Sequence, residues 1–539
     1  MHISFFLCTF APKFYRICGL YLSIDLRNRY QISYNLHYRT IGMKNNKYLR
    51  TMRIILATFF FAAITLLLLG IGSGVNLWLG WIAKIQFLPA LIALDYVVLA
   101  FLIILTLLFG RVYCSAICPL GVMQDIFGWF GKKSRKNRYF YSPEKRWLRY
   151  SVLAIFVICL IVGFAPVTTL LAPYSAYGRI VNALFRPIYE MLNNALVVID
   201  IRLGGCNIPY IEIWMRSVTT FTVALITLIL LGWLAWKNGR TYCNTICPVG
   251  TILSFFARFS LFRVQVDEQK CNKCSLCEKN CKAAAIDSKT GNVDYSRCVA
   301  CGDCLVTCRH DALHYKPLLL PPKAQKAEPD SPERRAMLTG AVVAIGVSAM
   351  AQTKIKVDGG LAAIEDKKAP HRATPVTPPG SISVRHLQRH CTACQLCVSA
   401  CPNNVLRPST DPLRLMQPEL SFERGFCRPE CTQCTQVCPT GAIHSIQPED
   451  KTAIHIGHAV WIAENCIPVS NGDPCGTCAR SCPAEAIQMI SYTTTNGKQV
   501  MVPALDNERC IGCGKCEYLC PSRPFSAIYV EGNTTHHNE

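Results

Sequence analysis

Closely spaced cysteine quartets are the feature that most constrains this chain. Of its 32 cysteines, 24 fall into six groups of four, a pattern typical of iron–sulfur ligation. A zinc ribbon is disfavoured because zinc sites usually separate two C-x2-C pairs by about a dozen residues or more. A haem c site is also disfavoured, since no C-x-x-C-H motif occurs. The sequence therefore predicts six [4Fe–4S] clusters.

Two of the quartets have the spacing C-x2-C-x2-C-x3-C and predict an α+β two-cluster ferredoxin domain over residues 264–316. In two-cluster ferredoxins the fourth cysteine of each motif binds the other cluster. We therefore expect one cluster on Cys271, Cys274, Cys277 and Cys308, and the other on Cys298, Cys301, Cys304 and Cys281. Lys282 and Arg309 stand where proline usually follows the fourth cysteine.

The other four quartets predict a four-cluster ferredoxin-like domain over residues 390–530, followed by a polar tail over residues 531–539. Each ends in Cys-Pro, and two have a longer first gap than the regular motif. Their sixteen cysteines are Cys391, Cys394, Cys397, Cys401; Cys427, Cys431, Cys434, Cys438; Cys466, Cys475, Cys478, Cys482; and Cys510, Cys513, Cys516, Cys520. Either outer quartets pair with outer and inner with inner, or sequential neighbours pair.

Apolar blocks predict an α-helical bundle over residues 43–263. Four runs approach the roughly 20 residues that a membrane span needs: Ile54–Ile71, Leu88–Phe109, Leu148–Leu171 and Val218–Trp236. Lys and Arg concentrate before the first run, between the second and third, and after the fourth. By the positive-inside rule these loops and the two-cluster domain face the cytoplasm of a bacterial inner membrane.

The formal net charge of +22 raises the question of nucleic-acid binding. The positive-inside distribution accounts for much of this excess, and no nucleic-acid motif is visible. We therefore expect membrane lipid, and no nucleic acid, among the partners.

One eleven-residue phrase occurs twice, as RVYCSAICPLG from Arg111 and RTYCNTICPVG from Arg240. Two spans and one such phrase, repeated, indicate an internal duplication. In a helix, Cys114 and Cys118 would share a face, as would Cys243 and Cys247. Three interpretations stay open: the four cysteines bind a seventh cluster, form redox-active dithiols, or serve in structure or docking.

The remaining segments connect or precede these parts. Residues 1–42 are weakly patterned, and we interpret them as a doubtful extension ahead of Met43. Between the linkers at residues 317–335 and 353–389 lies an apolar stretch, residues 336–352, preceded by Arg334 and Arg335. It predicts a twin-arginine export signal, cleaved or kept as a fifth span, which would place the four-cluster domain in the periplasm. The alternative is a short helix that tethers two cytoplasmic domains.

Through these motifs the chain resembles two known accessory proteins joined end to end. Residues 53–316 resemble NapH, the membrane quinol-dehydrogenase component of periplasmic nitrate reduction, in which Cys114, Cys118, Cys243 and Cys247 match its C-x3-C-P motifs. Residues 334–530 resemble NapG and its relative MauM. The resemblance implies oxidation of menaquinol or ubiquinol and electron delivery to a periplasmic cytochrome or molybdenum reductase.

The residues themselves also favour electron transfer. Six clusters on two soluble domains beside a membrane bundle would relay single electrons without bond chemistry, and quinol is the natural lipid-soluble donor. Asp95, placed inside the second predicted span, is the candidate acceptor of the quinol proton, or a carboxyl hydrogen-bonded within the bundle. The alternatives are an assembly factor resembling the cytochrome-oxidase assembly ferredoxins, or a scaffold electron-carrier subunit of a larger oxidoreductase.

Overall fold

The structure is a computed structural model that describes residues 47–135, 139–205, 208–318, 356–357, 363–494 and 497–538. The chain divides at Pro317 into two compact units. The predicted extension at residues 1–42 and the twin-arginine-like segment at residues 336–352 lie outside the described residues. So does the first linker from residue 319 onward.

The first unit begins with helical segments. They are α1 (Lys47–Leu69), α2 (Ser73–Lys84), α3 (Phe87–Ile92), α4 (Tyr96–Phe109), α5 (Pro119–Arg135), α6 (Arg146–Val162), α7 (Ala165–Leu171), α8 (Pro173–Ile180), α9 (Arg186–Arg202), α10 (Val218–Asn238), α11 (Thr241–Thr245) and α12 (Pro248–Ala257). Two π-helical segments, Tyr113–Ile117 and Val181–Phe185, interrupt them. Helix α10 packs against α5 and α8, and α12 packs against α4 and α6.

Two helices in the described part of the chain are long and apolar enough to cross a membrane. They are α1, of 23 residues with a hydropathy of 2.3, and α10, of 21 residues with a hydropathy of 2.2. They lie where the first and fourth spans are predicted. This weakly indicates membrane association.

The second and third predicted spans are not supported as continuous helices. Leu88–Phe109 is broken where Leu94 takes a positive φ of 56° and Asp95 caps the 14-residue α4. Leu148–Leu171 is broken at Gly163, whose left-handed φ of 82° ends α6 before the proline-containing first turn of α7. Hydropathy and periodicity do not reveal these breaks, because a single residue with a left-handed backbone changes neither pattern.

A small α+β body follows the helices in the same unit. Strand β1 (Phe262–Val266) pairs antiparallel with β2 (Leu313–Pro317), with Val266 opposite Leu313. Between them, α13 (Leu276–Asn280) packs against α14 (Asp303–Thr307). Both helices are one turn long because each starts after a left-handed residue and ends at a cysteine in extended conformation.

The second unit is made of short helices and two-stranded sheets. Its elements are β3 (Lys356–Val357), β4 (Ala363–Ile364), α15 (Val384–His390), α16 (Leu396–Ala400), β5 (Leu406–Pro408), β6 (Pro418–Leu420), α17 (Gln433–Val437), β7 (Ile454–Trp461), α18 (Ile467–Ser470), α19 (Thr477–Ser481), β8 (Ile487–Thr493), β9 (Gln499–Leu505), α20 (Lys515–Leu519) and β10 (Ile528–Asn538). Among the described residues, the antiparallel pairs are β3–β4, β5–β6, β8–β9 and β7–β10.

The end of the chain differs from the predicted polar tail. Residues 531–538 continue β10, which pairs with β7 from Ile528 opposite Trp461 to Asn538 opposite Ile454. A second contact, the bridge between Ser383 and Thr535, lies on the same strand. Polar side chains do not prevent this, because the strand satisfies its backbone groups through the partner strand.

Candidate iron–sulfur centres

The four regular quartets share one backbone conformation. In each, the residues immediately before and after the second cysteine have positive φ. The pairs are Lys273 and Ser275, Ala300 and Gly302, Ala393 and Gln395, and Gly512 and Gly514. Loops of this kind turn successive backbone N–H groups inward and form the concavities that hold anionic groups, including iron–sulfur clusters.

A second conformation follows the fourth cysteine. The residue three positions later has positive φ in five of the six quartets, at Ala284, Asp311, Asn404, Gly441 and Glu485. The turn then brings the next N–H back to the sulfur. Ala285 N donates to Cys281 Sγ over 3.4 Å, and Ala312 N donates to Cys308 Sγ over 3.3 Å.

The geometry of the first unit brings cysteines of the two motifs together. A cavity of about 30 Å³ is lined by Cys271, Cys274, Cys277 and Cys308. The other four thiols also lie close to one another. Burial, followed by repulsion from Cys301, Cys298 and Cys281, raises the pKa of the Cys304 thiol well above its usual range. The exchange of the fourth cysteine remains a prediction, which this arrangement supports.

In the second unit, sequential quartets come together. One cavity is lined by Cys401, Cys427, Cys431 and Cys434, and another by Cys482, Cys510, Cys513 and Cys516. Burial, followed by the neighbouring Cys475, Cys520 and Cys466, raises the pKa of Cys478 to about 11. Helix α16 packs against α17, and α19 against α20. Of the two pairings that spacing leaves open, the geometry favours sequential neighbours.

These quartets fit a cluster in their chemistry. Four thiols line each of the three cavities, and N–H donors already point at several sulfurs. Within the described ranges, no three His, Cys, Asp or Glu side chains are arranged to hold a single metal ion. A single zinc ion needs each sulfur at about 2.3 Å, whereas each thiolate of a cubane binds a different iron.

The repeated phrase adopts nearly the same path in both copies. Cys114 lies in the π-helical turn Tyr113–Ile117, and Cys243 lies in α11. Neither pair lies on one continuous helix, which is the case in which its two cysteines would share a face. Cys118 and Cys247 have extended backbones, with ψ of 116° and 118°, because proline follows and begins the next helix. Gly250 N then donates to Cys247 Sγ over 3.4 Å at the start of α12.

The two copies hold each other through their arginines. Arg240 Nη1 donates to the carbonyl oxygen of Cys114 over 2.6 Å, and Arg111 Nη2 donates to that of Cys243 over 3.1 Å. Both arginine side chains have 0% exposure. All four thiols of the phrase are 4–5% exposed. Burial is the main reason that the pKa of Cys243 is raised to about 11. The two copies therefore form one region that is closed to solvent.

Asp125 is the carboxylate at the centre of this region. Its oxygens pair with Arg240 Nε at 2.7 Å, with Lys282 Nζ at 2.8 Å, and with Arg53. Burial alone raises the pKa of Asp125, but the charges of Arg240 and Lys282 outweigh it and hold the pKa well below its usual range. Asp125 therefore stays ionised and joins α1, α5 and the loop after α10.

Lys282 joins the two-cluster body to the repeated phrase. Its ammonium also lies 3.3 Å from Asp303, and its carbonyl accepts a hydrogen bond of 2.8 Å from Arg240 N. Asn244 Nδ2 donates to the neighbouring Ala283 carbonyl over 3.0 Å. Lysine rather than proline follows Cys281 because this position carries the charged contact with Asp125 and Asp303.

Asp95 does not lie inside a continuous helix. It is the N-cap of α4, and its Oδ1 accepts a hydrogen bond of 3.2 Å from Val98 N. Capping accounts for a short polar residue at this point in an apolar run. Helix capping is therefore an alternative to the proton-accepting role as the reason for Asp95.

Several residues of the shared site were not assigned a role from the sequence. Arg111 and Arg240 are the first residues of the two copies, so their repetition could have marked them as part of the site. Gln124, which donates to Cys243 Sγ over 3.3 Å, and Asp125 occur in one copy only. No pattern in a single sequence marks them.

Sequence profiles of known families match three parts of the chain. A profile described as a 4Fe–4S binding domain matches residues 94–137 and 219–266, which hold the two copies of the phrase. A profile described as a 4Fe–4S dicluster domain matches residues 387–457 and 473–523, and one described as NosR matches residues 269–324. The chain thus contains ferredoxin-type 4Fe–4S domains.

Several known proteins are similar to the chain, although no solved structure matches it. The methylamine utilization ferredoxin-type protein MauM of Methylorubrum extorquens is 33% identical over 205 residues, which are 36% of this chain and 87% of MauM. The ferredoxin-type protein NapG of Escherichia coli is 32% identical over 180 residues, or 31% of this chain and 77% of NapG. The putative electron transport protein YccM of Escherichia coli is 26% identical over 221 residues, or 41% and 55%. The chain therefore belongs to the family of ferredoxin-type proteins that includes MauM and NapG.

Proposed function

We propose that this chain oxidises quinol at a membrane and delivers the electrons to a periplasmic reductase or cytochrome. An iron–sulfur electron-transport role follows from the family, whose relatives include ferredoxin-type proteins and a putative electron transport protein. The quinol donor, the NapH-like first half, the inner-membrane location and the periplasmic acceptor are our proposals.

Six [4Fe–4S] clusters supply one-electron transfer, and the cysteines of the quartets hold them. In the first unit the two ligand sets are Cys271, Cys274, Cys277 with Cys308, and Cys298, Cys301, Cys304 with Cys281. In the second unit they are Cys427, Cys431, Cys434 with Cys401; Cys391, Cys394, Cys397 with Cys438; Cys510, Cys513, Cys516 with Cys482; and Cys466, Cys475, Cys478 with Cys520. The cysteine-lined cavities support this assignment.

The observation that carries the proposal is the attachment of the two-cluster body to the helical part of its own unit. Lys282, which follows Cys281, pairs with Asp125 of α5, and Ser296 O accepts from Arg111 Nη1 over 3.2 Å. Tyr315 Oη donates to Phe109 O, at the end of the apolar helix α4, over 2.9 Å. A ferredoxin body fixed in this way suits a donor that reaches it from the lipid phase.

Quinol-dependent reduction of the clusters tests the proposal. The full chain is purified anaerobically in detergent, oxidised, and mixed with a reduced menaquinol analogue while cubane EPR signals are recorded. We expect the signals to grow toward the level that dithionite gives. If dithionite reduces the clusters and the quinol analogue does not, this chain alone is not a quinol dehydrogenase.

Two substitutions extend that experiment, one at a buried carboxylate as the test and one at a surface carboxylate as its matched control. Asp125→Asn removes the carboxylate that binds Lys282 and Arg240, so we expect slower reduction by quinol with the dithionite signal retained. Asp267→Asn removes only a surface contact with Lys270, 3.4 Å long, and should leave the rate unchanged.

An assembly role for another respiratory complex is the second candidate, favoured by the combination of two C-x3-C-P motifs with a two-cluster domain in one chain. It predicts that the purified chain restores a cofactor or a thiol state in a partner protein. If quinol reduces the chain but the electrons reach no periplasmic acceptor in membranes, the assembly role becomes the better account.

A further inference from the structure

Lys451 is a buried lysine beside one quartet of the second unit. It lies in the 3-10 turn Asp450–Ala453, directly before β7, and is 6% exposed. Its Nζ donates to Cys427 Sγ over 3.3 Å, to Cys431 O over 2.6 Å, and to the carbonyl oxygen of Arg428. An ammonium has three N–H groups, so these contacts use all of them. A positive charge from outside the cysteine motif is therefore fixed against the loop of this quartet.

The backbone of this quartet differs from that of the regular quartets. Its first gap has one extra residue and includes Pro429, which has no N–H group. The residues on either side of its second cysteine, Glu430 and Thr432, do not have positive φ, and the φ of Thr432 is −117°. The turn that points successive N–H groups inward in the regular quartets is therefore missing here. Lys451 supplies a donor where the loop lacks this turn.

The charge of Lys451 also needs a counter-charge. Within the ranges that the structure describes, no carboxylate forms an ion pair with this lysine. A buried ammonium without a partner is costly, and lysine is almost never buried unless it is paired. A [4Fe–4S] cluster with four thiolates carries net negative charge, and its reduced state carries one negative charge more. A cluster in this loop would therefore balance the ammonium, and the ammonium would favour its reduced state.

Sulfurs of other quartets receive neutral donors instead. Backbone N–H groups donate to Cys281 and Cys308 in the first unit, and Ala527 N donates to Cys520 Sγ over 3.3 Å in the second. Net charge and hydrogen bonds to the sulfurs are among the factors that set the potential of a cluster. Lys451 provides both at once, since its hydrogen bond to Cys427 comes from a charged group.

We propose that Lys451 is a positioning residue that holds the loop of this quartet and raises the midpoint potential of its cluster. The cluster concerned is the one assigned to the cysteines that line a common cavity, Cys401, Cys427, Cys431 and Cys434. A raised potential makes this cluster easier to reduce, whatever donor supplies the electron. The inference rests on the ferredoxin-type domain and does not depend on quinol.

The test is a redox titration of the full chain, purified anaerobically and followed by EPR. Lys451→Gln keeps a donor and removes the charge, so we expect the midpoint potential of one cluster to fall while the iron count stays the same. Lys498→Gln is the matched control, because this exposed lysine donates to a carbonyl oxygen, Gly472 O, over 3.2 Å. It should leave every potential unchanged. Unchanged potentials in Lys451→Gln, with all its clusters present, would overturn the proposal.

Two further variants assign the signal and guard against loss of the loop. The signal that shifts in Lys451→Gln should be the one that Cys401→Ala combined with Cys431→Ala removes, and a shift in any other signal would contradict the proposal. If Lys451→Gln does not accumulate, Lys451→Arg keeps a cation at this position and should retain the wild-type iron count and potentials. A lower potential in Lys451→Arg would count against the role of the charge. Dithionite is the reductant throughout, so these results are independent of the quinol activity proposed above.

Discussion

Arg240 donates a hydrogen bond of 2.6 Å to the carbonyl oxygen of Cys114, which lies 126 residues earlier in the chain. Arg111 makes the equivalent contact with Cys243 over 3.1 Å. These contacts join the two copies of the phrase to each other. Within each copy, the final glycine also lies close to the carbonyl oxygen of the first cysteine.

Replacing the glycine at the last position of the phrase tests this close backbone contact directly. Gly250→Ala would place Cβ 2.2 Å from Cys243 O, and Gly121→Ala would place it 2.3 Å from Cys114 O. Backbone atoms cannot move aside cheaply, so we expect a loss of about 3 kcal/mol in the free energy of unfolding, the upper end of the usual cost of overpacking. Thermal unfolding in detergent measures it. Gly80→Ala, in α2 with no atom within 4 Å of the added Cβ, is the matched control and should not destabilise the protein.

The lysine after Cys281 should be needed to hold the two-cluster body in place, whereas the arginine after Cys308 should not. Lys282→Pro restores the residue usual in ferredoxins but removes the contacts with Asp125 at 2.8 Å and Asp303 at 3.3 Å. Since hydrogen bonds between charged groups contribute about 1.5–3 kcal/mol, we expect weaker attachment of the two-cluster body with its iron retained.

Hydrogen exchange of the 281–285 backbone is the measurement for Lys282→Pro. Protection of this loop should fall in that variant. It should stay unchanged in Arg309→Pro, because Arg309 is exposed. Equal protection in both variants would show that the Lys282 pairs do not hold the body in place.

Double cysteine variants discriminate between the two pairings of the C-terminal quartets. Cys401, Cys427, Cys431 and Cys434 line one cavity, so Cys401→Ala with Cys431→Ala should cost the iron of a single cluster. Cys510 lines another cavity, so Cys401→Ala with Cys510→Ala should cost two. Iron analysis and EPR spin quantitation give the answer. The reverse result would mean that outer quartets pair with outer ones.

The second unit should lose stability in acid through His536. Its Nε2 lies 2.8 Å from Thr377 Oγ1, and burial, followed by the nearby His537, lowers the pKa of His536 to about 4. Because the folded-state pKa lies below the unfolded value of about 6.5, the stabilisation is complete above pH 6.5. It is lost as the pH falls from 6.5 through 4.

Melting temperatures across that window check the prediction. The wild-type chain should lose more stability than His536→Gln, which has no proton to take up. Acid damage to clusters affects both proteins and cancels in the difference. Parallel curves would remove His536 as the cause, and His371→Gln, at an exposed site, should follow the wild type.

Cysteine spacing predicts which residues belong to each quartet, because the loop that surrounds a cluster is local in sequence. It leaves the pairing of C-terminal quartets open, since that depends on how α16, α17, α19 and α20 pack. Hydropathy finds α1 and α10 but misses the breaks at Leu94 and Gly163, where one left-handed residue ends a helix. Asp125 escapes sequence reasoning because its partners Arg53, Arg240 and Lys282 are distant in the chain.

Electron delivery across a lipid bilayer tests the central claim most directly. Proteoliposomes that carry menaquinol in the lipid and the full chain in the bilayer are mixed anaerobically with an impermeant oxidant, ferricyanide. We predict ferricyanide reduction that depends on the chain and is lost when Cys281→Ala and Cys308→Ala are combined. Quinol that stays reduced in the presence of a chain with all its clusters would contradict the account.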